Sequence, residues 1–337
     1  MDKLEAFQLK MREKNLRGLW EAMHGDGYRE PLSSFEPYCW KWEDVRGAIL
    51  EAGELVGIEA AFRRVVQLCH PDLDGRTTHT LQLNVQLLKP GEHALAHRHT
   101  LAAIRFVLEG RGARCVVEGE GFEIGAGDFI TTPSWSWHDH VNESDETLMW
   151  LDGLDGPLVR ALQVGFWEPH DNKKQAITRS DGQSVSELSP IRPSWVLPNA
   201  KQPPAYHYRW EDTEKALAYS GETPGDPFDG ILLNFVNPLS GGPTVPTCMC
   251  SVQMLRRGEI TKSHRHTSST ILHVFRGSGA TVIDGNRYEW RQGDSFVIPL
   301  WRDHHHENTS DKEAIFFTMT DKPVMDALGL YREEPSS

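Results

Sequence analysis

The pattern of apolar positions changes near residue 63. Before it, "EDVRGAILEAGELVG" (residues 43–57) places its apolar residues at helical spacing and ends on Gly57. That is the repeat of a single helix face, and it predicts a helical segment over residues 1–62. From Arg63 onward the runs are short and β-rich: "RRVVQL", "TLQLNVQLL", "IRFVLEG", "ARCVVEG" and "GDFITTP", broken by Gly, Pro and Asp. Residues 168–230 are rich in Pro, Ser and polar groups, hold one short helical piece, "EDTEKALAY", and read as a linker. A second β-rich region begins near Ile231 and runs over residues 231–337.

The two β-rich regions repeat each other. "PGEHALAHRHT" answers to "RGEITKSHRHT", "VLEGRGA" to "VFRGSGA", "GDFITTPSWSWHDHVN" to "GDSFVIPLWRDHHHEN", and "DGPLVRAL" to "DKPVMDAL". The offset is 167 residues, falling to 166 after the glycines. A fixed register of this length marks a tandem duplication of one β-domain. Residues 63–167 form the first copy and 231–337 the second. About eight strand-like runs per copy fit a double-sheet jelly roll or small barrel, an all-β architecture.

Charge and cysteine usage narrow the function. The 337 residues carry 35 Lys and Arg against 48 Asp and Glu, a net charge of −13. With no basic block, nucleic acid and anionic membranes are poor partners. No apolar run approaches the roughly 18–20 residues that span a bilayer. Cys39, Cys69, Cys115, Cys248 and Cys250 are odd in number and scattered, as expected of reduced thiols in a cytoplasmic protein.

The histidines carry the chemistry. His97 and His99 are two apart and share one strand face, and His138 and His140 do the same on a later strand. Two such pairs can converge on a metal. The spacing Gly91, His97, His99, then Gly127, Pro133, His138, resembles the paired motifs of cupins, with Trp135 where glycine is usual. It selects His97, His99 and His138 as ligands and leaves His140 one pleat further on, placed to touch a substrate. His93 fits neither motif and reads as surface. In many metal cupins a glutamate follows the first pair. Here those positions hold Ala103 and Ile104, and Arg105 comes next. Three neutral imidazoles leave a divalent charge uncompensated and positions open, a set suited to non-haem iron. Arginine cannot ligate the ion, but it can hold the far oxygen of a carboxylate whose near oxygen does.

At these residues the chain resembles the gentisate 1,2-dioxygenase family of bicupins, which includes salicylate and 1-hydroxy-2-naphthoate dioxygenases. "PGEHALAHRHTLAAIRFVLEG", "GDFITTPSWSWHDH" and "WLDGLDGPLV" carry the likeness in the first copy, and "SHRHT", "GDSFVIP" and "DALGLYREE" in the second. The resemblance implies a bicupin with N-terminal helices, an Fe(II) cofactor and O2-dependent opening of an ortho-hydroxybenzoate ring. The bond cut joins the carboxyl-bearing and hydroxyl-bearing carbons. It also implies that His97, His99 and His138 hold iron, that Arg63 and Arg105 bind the substrate carboxylate, that His140 lies near the hydroxyl, and that Asp152 supports them. A homo-oligomer, dimer or tetramer, is implied as well.

One departure bears on substrate. Where the family has an aromatic residue and, two on, a glycine, this chain has Gln82 and Asn84. Two amides on the pocket face would change its polarity and volume, so beside a substrate of gentisate or salicylate type the alternatives are a 5-substituted salicylate, such as a nitro, amino or halo compound, and 1-hydroxy-2-naphthoate. A second departure separates the copies. The second keeps His264, His266 and His304 as a candidate second metal site, with His306 matching His140, but Arg105 maps to Leu272 and Asp152 to Thr318. Catalysis is therefore expected in the first copy. The competing readings are a metal cupin of another class and a non-enzymatic bicupin. The missing glutamate weighs against the first, and two intact histidine sets against the second.

Overall fold

The computed structural model describes residues 2–22, 30–58, 63–188, 194 and 204–336. It forms two units, Met1–Ser34 and Phe35–Ser337. In the smaller unit, helix Lys3–Arg12 opens on a capping box made by Asp2 and Glu5. Arg12 of that helix pairs with Glu21 of the short helix Leu19–Ala22.

In the larger unit, four sheets build two barrels. The first barrel has a six-stranded sheet in the order His207–Tyr208, Phe129–Thr132, Ala103–Glu109, Leu148–Leu154, Gln82–Leu88, Val65–Gln67. Its five-stranded partner runs Trp167–Pro169, His93–His99, His138–Val141, Arg111–Val117, Glu120–Gly125. The second barrel repeats this plan. Its larger sheet runs Tyr38–Trp40, Ser295–Ile298, Thr270–Arg276, Ala314–Thr320, Met249–Leu255, Ile231–Asn234. Its smaller sheet runs Asn286–Arg291, Ser278–Ile283, His304–Asn308, His264–His266, Glu333–Pro335.

Pleat parity explains the sequence runs. In "QLNVQLL", Leu83, Val85 and Leu87 face outward into a core shared with the second barrel, while Gln82, Asn84 and Gln86 take the other parity and face into their own barrel. All seven residues are buried, as expected of a strand covered on both faces. Likewise Ile104 and Phe106 join the shared core, where Phe106 stacks on Phe317 with centroids 4.6 Å apart, and Arg105 points inward.

The two barrels also exchange arms. Strand Tyr38–Trp40 pairs with Ser295–Ile298 of the second barrel, while the helix after it, Trp42–Leu55, packs on Gln82–Leu88 and Val65–Gln67 of the first. Strand His207–Tyr208 pairs with Phe129–Thr132 of the first barrel, while helix Trp210–Gly221 packs on Ile231–Asn234 and Met249–Leu255 of the second. Each helix start is clasped by a Gly-Asp turn. Asp294 accepts a hydrogen bond from the Trp42 N–H at 2.9 Å, and Asp128 accepts one from the Trp210 N–H at 2.8 Å. These carboxylates satisfy free N–H groups at the positive helix end. Gly293 and Gly127 have φ of +90° and +89°, and a Cβ at either would lie 2.3 Å or 2.6 Å from the clasped tryptophan ring. In the segment expected to be a linker with one short helical piece, that piece is helix Trp210–Gly221, and helix Gln183–Leu188 and strand His207–Tyr208 come in addition. The matching "KWED" and "RWED" at residues 41–44 and 209–212 carry this signal in the sequence.

Candidate metal centre and substrate pocket

In the first barrel, strand His93–His99 pairs with His138–Val141, and His97 lies opposite His138. The turn before His138 puts Trp135 at φ +62°, a left-handed conformation costing about 1–2 kcal/mol for a residue with a side chain. The Arg98 guanidinium lies 4.5 Å over the rings of both Trp135 and Trp137 and supports this turn. The result brings ligand nitrogens of His97, His99 and His138 within 4.8 Å of one another.

Each imidazole is oriented by its other nitrogen. The Nδ1–H groups of His97, His99 and His138 donate to the carbonyls of Leu95, Leu101 and Ser136 at 3.0, 2.8 and 2.9 Å. That fixes the tautomer and leaves the Nε2 lone pairs of His99 and His138 for the centre, the usual arrangement for histidine ligands, while the His97 Nε2 also meets Arg63 Nη2 at 3.2 Å. Nε2 of His138 is buried without a hydrogen-bond partner. Burial, and next the Arg63 charge, press the His97 pKa to about 2, and burial brings His99 to about 4. Burial, and next Arg105, hold His138 well below the ordinary range. All three are neutral at pH 7, as metal ligands must be, and the site fits a divalent transition metal.

The remaining predicted residues converge here, with one qualification of place. Arg63, Gln82, Asn84, Arg105 and Asp152 line one cavity of about 290 Å³ with the three histidines. His140 lies deeper, 6.2 Å from His138 and 5.1 Å from Trp150 by ring centroids, and is not part of that lining. Both its ring nitrogens are buried without partners. Burial, and next Arg105, hold it well below the ordinary histidine range.

Asp152 lies directly across the strand pair from Arg105, with Nε to Oδ1 at 3.5 Å. Arg105 also donates to Thr132 Oγ1. Arg63 Nη2 lies 2.9 Å from Nδ1 and 3.2 Å from Nε2 of His97, and its Nε and Nη1 have no partner. Burial, and next the neighbouring Arg105, lower the Arg63 pKa to about 9, while burial raises Asp152 against the pull of both arginines. Two buried guanidiniums therefore face one carboxylate. With free acceptors on Gln82 and Asn84, the chamber is set to receive an anion that also offers hydrogen bonds.

Sequence reasoning missed several neighbours. Gln86, with neither amide atom partnered, continues the alternate row of Gln82 and Asn84 and was legible from it. Trp167 reaches His97, with centroids 6.0 Å apart, through strand Trp167–Pro169, and Arg160 lines the cavity from helix Gly156–Ala161. Nothing local in the sequence marks either. His93, expected at the surface, is partly buried and sits 2.9 Å from the buried Asp139.

The second barrel holds the matching triad. Ligand nitrogens of His264, His266 and His304 also lie within 4.8 Å. Nδ1–H of His266 and His304 donates to the carbonyls of Ser268 and Arg302, at 2.8 and 2.9 Å. Around them Leu272 and Thr318 stand where the first barrel has Arg105 and Asp152, paired across the strands in the same register.

Comparison with known proteins agrees with this geometry. The cupin domain family matches residues 84–153 and 251–320. A 5-aminosalicylate 1,2-dioxygenase of Comamonas sp is 40% identical over 98% of this chain and 90% of its own length. A gentisate 1,2-dioxygenase of Aquipseudomonas alcaligenes is 36% identical over 97% and 95%. The crystal structure of salicylate 1,2-dioxygenase from Pseudoaminobacter salicylatoxidans, as adducts with gentisate, aligns at a TM-score of 0.90 and 31% identity, over 100% of this chain and 95% of that one. No helix among the described residues is long and apolar enough to cross a membrane. With near-complete coverage at these identities, two histidine triads in two barrels and an arginine-lined chamber in the first, the chain belongs to the gentisate 1,2-dioxygenase family of ring-cleaving bicupin dioxygenases.

Proposed function

We propose that the first barrel binds Fe(II) through His97, His99 and His138 and uses O2 to open the ring of a 5-substituted salicylate between its carboxyl-bearing and hydroxyl-bearing carbons. The observation that carries this reading is the charge balance of the chamber, two buried guanidiniums against Asp152 alone, beside three neutral imidazoles. Iron held by these three histidines would supply a Lewis-acid point for the anionic substrate and an electron path to O2.

The protein groups do the positioning. Arg105 and Arg63 hold the substrate carboxylate and offset its charge, Thr132 Oγ1 accepts from the Arg105 fork, and Asp152 faces it as an ion pair at 3.5 Å. His140, neutral and unpartnered behind that lining, accepts a hydrogen bond from the ring hydroxyl through one water. Gln82 donates to Thr77 Oγ1 at 3.1 Å, which leaves its Oε1 for the substrate, and Asn84 offers its Oδ1. Two such acceptors suit a 5-amino group, and the name of the Comamonas relative gives the same direction. A cavity of about 290 Å³ is at the small end of ligand pockets, roughly 300–1,000 Å³, and favours one ring over two. Exposed Leu4, Phe7 and Leu9 on the first helix support assembly into a homo-oligomer.

Oxygen uptake by anaerobically purified, Fe(II)-loaded protein tests the proposal, with 5-aminosalicylate, 5-nitrosalicylate, salicylate and gentisate as substrates. 5-Aminosalicylate, whose amino group offers two N–H donors to Gln82 Oε1 and Asn84 Oδ1, is expected to give the highest kcat/KM. Gentisate leading by orders of magnitude would remove the substrate assignment, and no uptake with any of them would remove the activity.

A further inference from the structure

The second triad is surrounded by charge of the opposite sign. In the first barrel, Arg63 touches His97, and Trp167 sits in the edge strand opposite His99. In the second, Asp229 Oδ1 lies 4.0 Å from Nε2 of His264, the counterpart of His97. The edge strand Glu333–Pro335 pairs with His264–His266 in the same register, so Glu333 stands opposite His266 where Trp167 stands opposite His99. Glu333 Oε1 lies 3.0 Å from Nδ1 of His264, and Tyr331 donates to its other oxygen at 2.7 Å.

This changes what orients the first ligand. His97 gives its Nδ1 proton to a backbone carbonyl, whereas His264 gives its proton to a carboxylate. A carboxylate behind an imidazole makes the opposite nitrogen a stronger ligand. That nitrogen, Nε2 of His264, is buried without a hydrogen-bond partner and belongs to the triad. Phe228 stacks on the same ring, with centroids 5.0 Å apart and planes at 12°, and holds its orientation. The surrounding cavity is smaller, about 180 Å³. Asp229 and Glu333 line it, Lys322 lies over the Tyr331 ring and 3.6 Å from Asp326, and Leu272 fills the place of Arg105.

We infer that the second barrel is a metal site in its own right, binding one divalent transition-metal ion through His264, His266 and His304. Glu333 tightens it through His264, and Asp229 offsets the charge of the ion. The first site leaves charge compensation to an anionic substrate; the second carries its own carboxylates and excludes such a substrate. Metal binding there also ties the C-terminal strand to the barrel.

Metal-stripped full-length protein dialysed against cobalt(II) tests this, read as cobalt per chain and visible absorption. Wild type is expected to hold two ions. His97→Ala/His99→Ala is expected to hold one, and His264→Ala/His266→Ala also one. The ion retained by each variant shows that its untouched barrel is folded. Glu333→Gln is expected to weaken the second ion by about 10–100-fold in chelator competition and leave the first unchanged. A single ion in wild type, lost with His97 and His99 and kept without His264 and His266, would overturn the second site. Equal affinities in wild type and Glu333→Gln would overturn the role of Glu333. The count is independent of turnover, so an inactive first barrel would leave it standing.

Discussion

In the first barrel the histidine triad looks out on Arg63 and Arg105; in the second an equivalent triad looks out on Asp229, Glu333 and Leu272. The polar inventory differs in the same sense. Buried groups without partners crowd the first barrel, on Arg63, Gln82, Asn84, Gln86, Arg105, His138, His140, Trp150 and Asp152. In the second barrel His306, the counterpart of His140, bonds Thr281 Oγ1 at 2.9 Å, and Trp290 donates to the same oxygen at 3.0 Å. Buried polar atoms cost free energy until something pairs with them. The first barrel keeps that cost and is ready for a ligand, while in the second, among the described residues, it falls only on His264 Nε2 and Trp301 Nε1. A shared ligand motif therefore says little about substrate; the residues one layer out decide it.

The comparison can be broken in order of expected effect. His97→Ala/His99→Ala should take O2-dependent turnover to background, whereas His264→Ala/His266→Ala should keep turnover of the same order as wild type; the reverse would move catalysis to the second barrel. Arg105→Ala should cost about 2–5 kcal/mol in kcat/KM, with KM raised and kcat lowered, because a buried charge partner is lost. Arg105→Lys should not restore it, since lysine lacks the planar fork. Trp167→Glu imports the second barrel's carboxylate into the first and should raise KM for salicylates by at least tenfold, like charges being costly by several kcal/mol. Asn84→Gly should lower the preference for 5-aminosalicylate over salicylate by about 0.5–1.5 kcal/mol in a kcat/KM ratio.

The smallest expected effect concerns the arms. His207 lies 3.1 Å from Asp128 and 3.2 Å from Asp181. Burial lowers its pKa, but the two carboxylates outweigh burial and raise it overall. A raised histidine pKa stabilises the fold fully below the ordinary value of about 6.5, and that contribution is lost as pH climbs through the raised value. The second clasp uses Lys41, 2.9 Å from Asp294, with its pKa raised above the ordinary lysine range. From about pH 6 to about pH 9, hydrogen exchange corrected for intrinsic rate should therefore quicken at His207–Tyr208 more than at Tyr38–Trp40.

Much of this was legible in the chain. The repeat specifies two barrels because histidine pairs, Gly-Asp turns and prolines recur in one register. Strand parity alone is enough to place His97, His99, Arg105, Gln82 and Asn84 on inward faces. What stayed hidden depends on edge pairing between distant segments. Trp167 and Glu333 reach their histidines only because short strands dock beside His93–His99 and His264–His266. Three-residue strands leave no period to read. The helices of the two arms were legible, but the strands Tyr38–Trp40 and His207–Tyr208 that exchange them were hidden for the same reason, although "KWED" and "RWED" recur at the helix starts. The depth of His140 behind His138 follows from barrel curvature, which spacing along one strand does not contain.

The central claim is that the first barrel withholds a carboxylate so that the substrate supplies it. Anaerobic calorimetry of Fe(II)-loaded protein with salicylate and with its neutral isostere salicylamide tests this most directly. Two charge-assisted contacts of about 1.5–3 kcal/mol each predict salicylate binding at least a hundredfold tighter, a preference cut by about tenfold or more in Arg105→Ala, where Arg63 remains, and kept in His264→Ala/His266→Ala. Salicylamide binding as tightly as salicylate to the wild-type protein would contradict the account.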